Sequence, residues 1–279
     1  MTKTLFVSDL DGTLLNSKAG INEKTADILN NLIEKGLDFT FATARTAASA
    51  LKITEKLNLK LPCILMNGVS IYDTVTGSYI KNEYINPESA FAVSDIFKRH
   101  NLHPFMYKIE RDKLYAIYTD FSNNAMKDFY AVRKKKYDKP FIKCSNLSEA
   151  ADSFTAYFTI LDSYEKLLPV KCEIEKICGV KLAFYKDVYH NEYWFLEVFS
   201  DEASKYNSVI FLKNYGLYEN ITGFGDNLND IPLFKACDRR IAVGNAKKEL
   251  KNIADYVIGD NNSDSVALWI KENYLKERI

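Results

Sequence analysis

The stretch Leu5-Phe6-Val7-Ser8-Asp9-Leu10-Asp11-Gly12-Thr13 decides the fold, because it predicts a buried strand that ends in a pair of aspartates. Side chains alternate along a strand, so carboxylates at positions i and i+2 are expected on the same side. Gly12 lets the backbone turn away where a Cβ would hinder it. Such a pair can bind a hard divalent cation and supply a nucleophile beside an acid/base. The alternative is an ordinary turn at a strand end, since Asp and Gly are both common in turns.

Both ends of the chain alternate between strand and helix patterns. After the first strand, apolar residues at helical spacing predict a helix over 23–35, and strands are predicted over 37–43 and 63–66 with a helix between them. A hairpin is predicted near Thr76-Gly77. The alternation resumes at residue 204 with a helix, a strand over 221–224, a helix over 228–235 and a strand over 240–243. This order predicts an α/β fold with a doubly wound parallel sheet and right-handed crossovers.

The middle of the chain has a different pattern. Strands are predicted over 105–109, 113–118, 154–161, 180–185 and 194–199, several of them without a helix in between. A helix over 164–177 is expected to kink or restart at Pro169. We therefore predict an inserted α+β domain over residues 83–199, within a core formed by residues 1–82 plus 200–279.

Composition excludes several classes of protein. The 279 residues include 37 Lys+Arg and 37 Asp+Glu, so the formal net charge is zero. A neutral chain has no electrostatic footprint for nucleic acid or an anionic membrane, but it can still contain a local pocket for a small anion. No apolar segment approaches the length of about 20 residues that spans a bilayer. The five cysteines are an odd number without a CxxC pair, which favours free thiols in a reducing cytoplasm. We expect a cytoplasmic monomer or small homo-oligomer.

Polar residues from separated segments are expected to meet at one edge of the core sheet, because ligands of open α/β sheets bind outside the carboxyl ends of the strands. These residues are Asp9, Asp11, Thr43, Lys205 and the segment Gly225-Asp226-Asn227-Leu228-Asn229-Asp230. Three carboxylates about 4 Å apart repel by roughly 4 kcal/mol per pair at an effective dielectric near 20, so the site must hold protons, a lysine or a cation. A ligand set of oxygens alone favours Mg²⁺ over Zn²⁺.

Each of these residues also has a purely structural interpretation. Residues 225–230 match an Asp/Asn-rich helix cap, Thr43 suits the interior of a strand, and Lys205 alone is typical of a surface. Their common position at the sheet edge favours the functional interpretation. A hydroxyl and an ammonium there suit the oxygens of a phosphoryl group.

The chain resembles the haloacid dehalogenase-like (HAD) phosphohydrolases, specifically the Cof-type branch with a large α/β (type IIB) cap. Four motifs carry the resemblance: Asp9-Leu10-Asp11-Gly12-Thr13, Ala42-Thr43-Ala44-Arg45, Ser204-Lys205 and Gly225-Asp226-Asn227-Leu228-Asn229-Asp230. Minor matches are Asn67-Gly68, Ala242-Val243-Gly244-Asn245-Ala246 and Ala254-Asp255-Tyr256-Val257. The resemblance implies a Rossmann-like core with an inserted cap domain that acts as a lid and contacts the leaving group.

The same resemblance implies a function and a role for each site residue. It implies hydrolysis of a small phosphorylated metabolite through an aspartyl-phosphate, with Asp9 as nucleophile and Asp11 as general acid and base. Mg²⁺ would be held by Asp9, the backbone carbonyl of Asp11, Asp226 and Asp230. Phosphoryl and substrate contacts would come from Gly12, Thr43, Asn67, Lys205 and Asn229, whereas Arg45 is expected to be structural.

The chain departs from the family pattern at a few positions. Ala44 and Tyr206 stand where the family commonly has Gly, Pro232-Leu233 replaces a more usual pair containing Met, and Ser265 replaces another common Gly. None of these changes removes a charged or nucleophilic group. Tyr206 predicts a narrower pocket and a different substrate preference.

Three other functions compete with a phosphatase. A sugar phosphomutase of the same superfamily would transfer phosphate between two hydroxyls. A phospho-accepting signalling module also combines carboxylates, a hydroxyl and a lysine, but it is roughly one domain long and has no inserted cap. A non-catalytic binding protein is disfavoured by the complete set of acidic residues.

Overall fold

The computed structural model describes residues 3–187 and 192–276, which form two compact units. One unit comprises Met1–Lys81 and Ser204–Ile279, and the other comprises Asn82–Ala203. The assignment of these units as a catalytic core and a cap, with bounds at 82/83 and 199/200, stays a prediction.

Strands and helices follow each other along the chain. The strands are β1 (Thr4–Ser8), β2 (Asp38–Phe41), β3 (Cys63–Leu65), β4 (Ser70–Asp73), β5 (Ser78–Asn82), β6 (Phe105–Glu110), β7 (Lys113–Tyr118), β8 (Phe141–Lys143), β9 (Thr155–Asp162), β10 (Val180–Lys186), β11 (Trp194–Ser200), β12 (Asn220–Gly225), β13 (Arg239–Ala242) and β14 (Tyr256–Val257). The α-helices are α1 (Glu23–Glu34), α2 (Ala47–Ile53), α3 (Pro87–Arg99), α4 (Asn124–Tyr137), α5 (Leu147–Ala150), α6 (Tyr164–Ile174), α7 (Lys205–Tyr215), α8 (Ile231–Ala236), α9 (Lys248–Lys251) and α10 (Ser265–Lys276).

The first unit is built on a parallel sheet of five strands in the order β14-β13-β12-β1-β2. Strand β1 lies between β12 and β2, with Ser8 level with both Phe224 and Phe41. Its apolar residues are buried, as expected for a central strand covered on both faces. The predicted α/β fold with a parallel core sheet is therefore confirmed, and the carboxyl ends of β1, β2 and β12 meet at one edge.

A smaller antiparallel sheet, in the order β3-β4-β5, continues from this core. Ala42, just after β2, makes a parallel bridge with Ile64 in β3. The predicted hairpin is present between β4 and β5, where Gly77 has φ +73° and its N–H donates to the Asp73 carbonyl. This arrangement places Thr43 and Asn67 at consecutive strand ends.

The second unit contains a six-stranded sheet in the order β10-β11-β9-β6-β7-β8, in which only β7 and β8 pair in parallel. Phe158 packs on Phe97 of α3 on one face of this sheet. The opposite face carries Tyr157 and Glu197, which alternation along β9 and β11 places on the same side. The mainly antiparallel pairing of these strands agrees with the predicted α+β unit.

The structure differs from the sequence prediction mainly in short or interrupted elements. Strand β8 and helices α5 and α9 were not predicted, because three or four residues are too few to show a period. The predicted helix 164–177 is α6, which ends at Ile174 and continues through Pro169, so the helix does not restart there and the predicted kink stays a prediction. Pro169 and Glu165 are both exposed, so the Glu165 carbonyl that loses its helical donor can bond to water.

All five cysteines are free thiols, with Cys63 buried and Cys172 and Cys178 exposed. Among the described residues, no helix combines the length and apolar character needed to cross a bilayer.

Candidate active site

Asp9 lies at the carboxyl end of β1 and is 4% exposed. Its N–H donates to the Phe224 carbonyl at 2.9 Å, which ties the end of β1 to β12. The chain then enters the turn Leu10–Leu14, in which Gly12 has φ +81°. A Cβ on Gly12 would collide with the Asp226 carboxylate, so this position requires glycine for both space and backbone conformation.

Asp226 and Asp230 follow β12 in a tight helical turn. The Asp230 Oδ2 atom accepts hydrogen bonds from the N–H groups of Asp226 at 3.0 Å and Asn227 at 3.1 Å. A Cβ on Gly225 would lie 2.7 Å from the Asp230 Cβ. The absence of a side chain at Gly225 therefore leaves room for the Asp230 carboxylate to reach the N–H groups of Asp226 and Asn227. Thr13 donates to Asp226 Oδ1 at 3.1 Å and links this turn to the first motif.

Lys205, the first residue of α7, is the buried cation of the site. Ser204 caps that helix by accepting from the Asn207 N–H. The Lys205 Nζ atom donates to Asp9 Oδ1 at 2.6 Å and to Asp230 Oδ1 at 2.7 Å, and its side chain is 1% exposed. Lys205 therefore joins carboxylates from β1 and β12.

Carboxylate oxygens of Asp9, Asp226 and Asp230 lie within 4.8 Å of one another. This separation and an oxygen-only donor set fit a small hard divalent cation such as Mg²⁺. One lysine against three carboxylates leaves net negative charge, which a divalent cation would balance. The Asp11 carboxylate is not part of this group.

Burial and mutual repulsion govern protonation in the cluster. Burial, followed by the neighbouring Asp230 carboxylate, raises the pKa of Asp9 well above its usual range, whereas Lys205 opposes this change. Burial and Asp230 also raise the pKa of Asp226 to about 6. Burial opposes the charged form of Lys205, but Asp230 and Asp9 outweigh it and raise the lysine pKa. These shifts are typical of carboxylates that need a cation.

Asp11 lies in the turn rather than in β1, so strand alternation does not determine its direction. Arg45 donates two hydrogen bonds of 2.7 Å to the Asp11 carboxylate, from Nε to Oδ2 and from Nη2 to Oδ1. These bonds fix the orientation of the Asp11 carboxylate, and the structural role of Arg45 stays a prediction.

The remaining predicted residues lie at neighbouring strand ends. Thr43 is 1% exposed, and its Oγ1 accepts from the Arg45 N–H at 3.2 Å. The Thr43 carbonyl accepts from the Asn67 N–H at 2.9 Å, and Asn67 Oδ1 accepts from Asn229 at 3.3 Å. Asn67 has φ +56°, an uncommon conformation for a residue with a side chain. The structure thus connects Thr43, Asn67 and Asn229.

Sequence reasoning gave no role to Thr13 or Asn245, although both belong to motifs that it identified. Thr13 bonds to Asp226, and the Asn245 Nδ2 atom donates to the Gly12 carbonyl at 2.7 Å. Both contacts join segments more than 200 residues apart, which no local pattern could reveal. The side chain of Tyr206 is 41% exposed, and its predicted effect on substrate preference stays a prediction.

Comparison with known proteins gives consistent matches over nearly the whole chain. A family model of haloacid dehalogenase-like hydrolases matches residues 6–270. Phosphatase YwpJ of Bacillus subtilis is 27% identical over 288 residues, covering 96% of this chain and 98% of the relative. Pyridoxal phosphate phosphatase YbhA of Escherichia coli is 24% identical over 275 residues, covering 97% and 98%. The crystal structure of TM0651 from Thermotoga maritima matches with a TM-score of 0.77 and 29% identity, covering 100% of this chain and 98% of the other.

Proposed function

The chain belongs to the haloacid dehalogenase-like hydrolases and is a phosphatase, and we propose that it hydrolyses a small phosphate monoester through an aspartyl-phosphate on Asp9 with Mg²⁺ as cofactor. The observation that carries this proposal is the buried cluster in which Lys205 bridges Asp9 and Asp230 beside Asp226.

Asp9 is the proposed nucleophile. Lys205 bonds to Asp9 Oδ1, so Oδ2 would attack phosphorus as the bond to the leaving oxygen breaks. Asp11 would protonate the departing alcohol, then take a proton from the water that cleaves the aspartyl-phosphate and releases Asp9. Each Asp11 oxygen accepts one hydrogen bond from Arg45 and keeps a second lone pair, so Asp11 can carry a proton while Arg45 holds its orientation.

The other site residues would bind and orient the phosphoryl group. The Thr43 hydroxyl would donate a hydrogen bond to the phosphoryl group, and the Lys205 ammonium would supply a countercharge. Asn67 and Asn229 would contact the substrate beside Gly12. Asp9, the Asp11 carbonyl, Asp226 and Asp230 would hold Mg²⁺, whose charge reduces the repulsion between a phosphate dianion and a carboxylate. The inserted domain predicted over residues 83–199 would act as a lid that contacts the leaving group.

The proposal is tested by replacing Asp9. We expect Asp9→Asn to abolish phosphate release from para-nitrophenyl phosphate while the thermal midpoint changes little, because Asn keeps the size of the side chain. Asp95→Asn, on the exposed face of α3, is the matched control and should keep full turnover. EDTA should stop turnover of the unmodified protein, and added Mg²⁺ should restore it.

The covalent step has its own measurement. Acid-quenched reaction mixtures of Asp11→Asn should contain protein that carries one phosphoryl group, and peptide mapping should place it on Asp9. Full turnover by Asp9→Asn, or a phosphoryl group on another residue, would remove Asp9 from the mechanism.

A further inference from the structure

The loop between β13 and α9, residues 243–247, holds the segment that carries Asp226. The Val243 N–H donates to the Gly225 carbonyl at 3.2 Å, and the Lys247 N–H donates to the Asp226 carbonyl at 2.8 Å. These bonds fix the two peptide bonds that flank Asp226. The loop therefore acts on the end of β12 through its main chain.

Asn245, in the middle of this loop, reaches the other acidic segment with its side chain. Its Nδ2 donates to the Gly12 carbonyl at 2.7 Å, and its Oδ1 accepts from the Asn261 N–H at 3.0 Å. A carbonyl partner on one side and an N–H partner on the other permit only one orientation of the amide. Asn245 is therefore fixed at both ends.

Gly12 is a sensitive point for such a contact. It separates Asp11 from Thr13, and the Asp226 carboxylate occupies the space where its Cβ would lie. Thr13 in turn bonds to Asp226. A small movement of Gly12 would thus change the position of the Asp11 carbonyl, the Asp11 carboxylate and the hydroxyl that orients Asp226.

We propose that Asn245 is a positioning residue that sets the spacing between the Asp11-Gly12-Thr13 turn and Asp226, and thereby the affinity of the site for its divalent cation and the rate of turnover. This inference rests on the proposed function. Asn245 touches neither the reacting atoms nor the proposed cation ligands through its side chain, and it acts through the Gly12 carbonyl.

Asn245→Asp is the decisive variant, because it keeps the shape and the acceptor for Asn261 but replaces the donor to Gly12 with an oxygen. Asn245 is exposed, so loss of its donor corresponds to roughly a 3- to 10-fold effect. We expect the Mg²⁺ concentration for half-maximal turnover to rise roughly 3- to 10-fold, and kcat to fall by a similar factor. The KM for para-nitrophenyl phosphate at saturating Mg²⁺ should change less than about 3-fold, since the phosphoryl contacts remain.

A second readout does not depend on turnover. The Mg²⁺ concentration that produces half of the metal-induced rise in thermal midpoint should shift upward in Asn245→Asp and in Asn245→Ala, while the midpoint without metal stays near that of the unmodified protein. Asn262→Ala is the matched control: it removes bonds to Ser17 from the neighbouring loop but leaves Gly12 untouched, and should shift neither quantity.

Each outcome decides the inference. Unchanged Mg²⁺ dependence in both Asn245 variants would overturn it, as would an equal shift in Asn262→Ala, which would indicate general loosening. If the unmodified protein hydrolyses no phosphate ester, the proposed function fails, and the thermal titration still shows whether Asn245 sets cation affinity.

Discussion

Two cations of the first unit, Lys205 and Arg45, bond to carboxylates at nearly equal distances but differ in burial. Lys205 bonds to Asp9 and Asp230 with side chains that are at most 6% exposed, whereas Arg45 bonds to Asp11 with side chains 22% and 51% exposed. Removing one partner of a buried pair leaves an uncompensated charge, but water solvates the remaining partner of an exposed pair.

We therefore expect Lys205→Met to lower the free energy of unfolding by about 3–5 kcal/mol at pH 7. Arg45→Met, its matched control, should lower it by no more than about 1 kcal/mol. Urea unfolding of both variants measures the contrast. The loss in Lys205→Met should shrink at pH 5, because burial and Asp230 already raise the Asp9 pKa and a proton can replace the lysine. Equal losses of unfolding free energy in the two variants would contradict the difference in burial between Lys205 and Arg45.

The sequence could place the acidic residues and Lys205 at one sheet edge, but not the partner of Asp11. Asp9 and Asp226 were predictable because they follow buried strands whose carboxyl ends share an edge. The pairing of Asp11 with Arg45 was not, since it depends on the torsion angles of the turn around Gly12. Strand periodicity contains no information about that turn.

Helix α7 and the turn after β3 meet at Gly68. Gly68 has φ +100°, and a Cβ there would collide with the main-chain carbonyl of Ser204, directly before Lys205. Gly77 also has positive φ, +73°, but the nearest atom to a Cβ there is the Tyr72 hydroxyl at 3.6 Å. The two glycines therefore share a backbone conformation and differ in available space.

Gly77→Ala should cost about 1–2 kcal/mol of unfolding free energy, the cost of positive φ alone. Gly68→Ala should cost clearly more and should also lower kcat, because relief of the collision moves the start of α7 and Lys205 with it. Urea unfolding and a turnover assay on both variants test this. Similar stability and activity in the two variants would show that the approach of Gly68 to Ser204 is unimportant.

Strand β11 carries a buried carboxyl group that should make stability depend on pH. Burial raises the pKa of Glu197 to about 7, against opposing effects of Tyr157, Tyr185 and Arg133. The Tyr157 hydroxyl lies close to this carboxyl group, but among the described residues neither that hydroxyl nor Glu197 Oε2 has a hydrogen-bond partner of good geometry. The folded state therefore favours neutral Glu197.

A carboxyl group whose pKa is higher in the folded than in the unfolded state stabilises the folded protein fully at pH values below its unfolded pKa. This contribution is lost as the pH rises through its folded pKa. Stability should thus fall by roughly 3 kcal/mol between about pH 4.5 and pH 7.5. Glu197→Gln should remove this pH dependence, because Gln cannot ionise. The free energy of unfolding of the variant should match that of the unmodified protein near pH 5 and exceed it above pH 7. Glu165→Gln, on the exposed face of α6, should leave the profile unchanged. A profile for Glu197→Gln that parallels the unmodified protein would refute the assignment.

Long elements with a clear period were predictable, and short ones were not. Helix α1 shows its apolar residues at helical spacing, and β12 is a short buried segment followed directly by the turn residues of the Gly225–Asp230 motif. Strand β8 forms because it pairs with β7, so its cause lies outside its own three residues.

The two units have separate cores, and each contains one of the two tryptophans. Trp194 packs on Phe184 in the second unit, and Trp269 packs on Phe224 in the first. The carboxylates of the proposed cation site all belong to the first unit. A bound cation stabilises only the structure that binds it.

Single-tryptophan variants separate the two units in solution. In Trp194→Phe, fluorescence reports the first unit through Trp269, and Mg²⁺ should raise its thermal midpoint. In Trp269→Phe, fluorescence reports the second unit, and Mg²⁺ should change its midpoint much less. Equal Mg²⁺-dependent shifts in both variants would mean that the units unfold as one cooperative body.

Parallel pairing of β1 with β12 joins positions separated by more than 200 residues, and this has a consequence during biosynthesis. A ribosome must translate most of the message before the amino-terminal strand can meet its neighbour. Until then one edge of an apolar strand lacks its native partner, which exposes the nascent polypeptide to aggregation and makes late closure of the sheet slow. Premature termination before residue 220 should therefore yield protein that chaperones retain or proteases remove, because β1 would lack its neighbour β12 and Asp9 would lack Asp226 and Asp230.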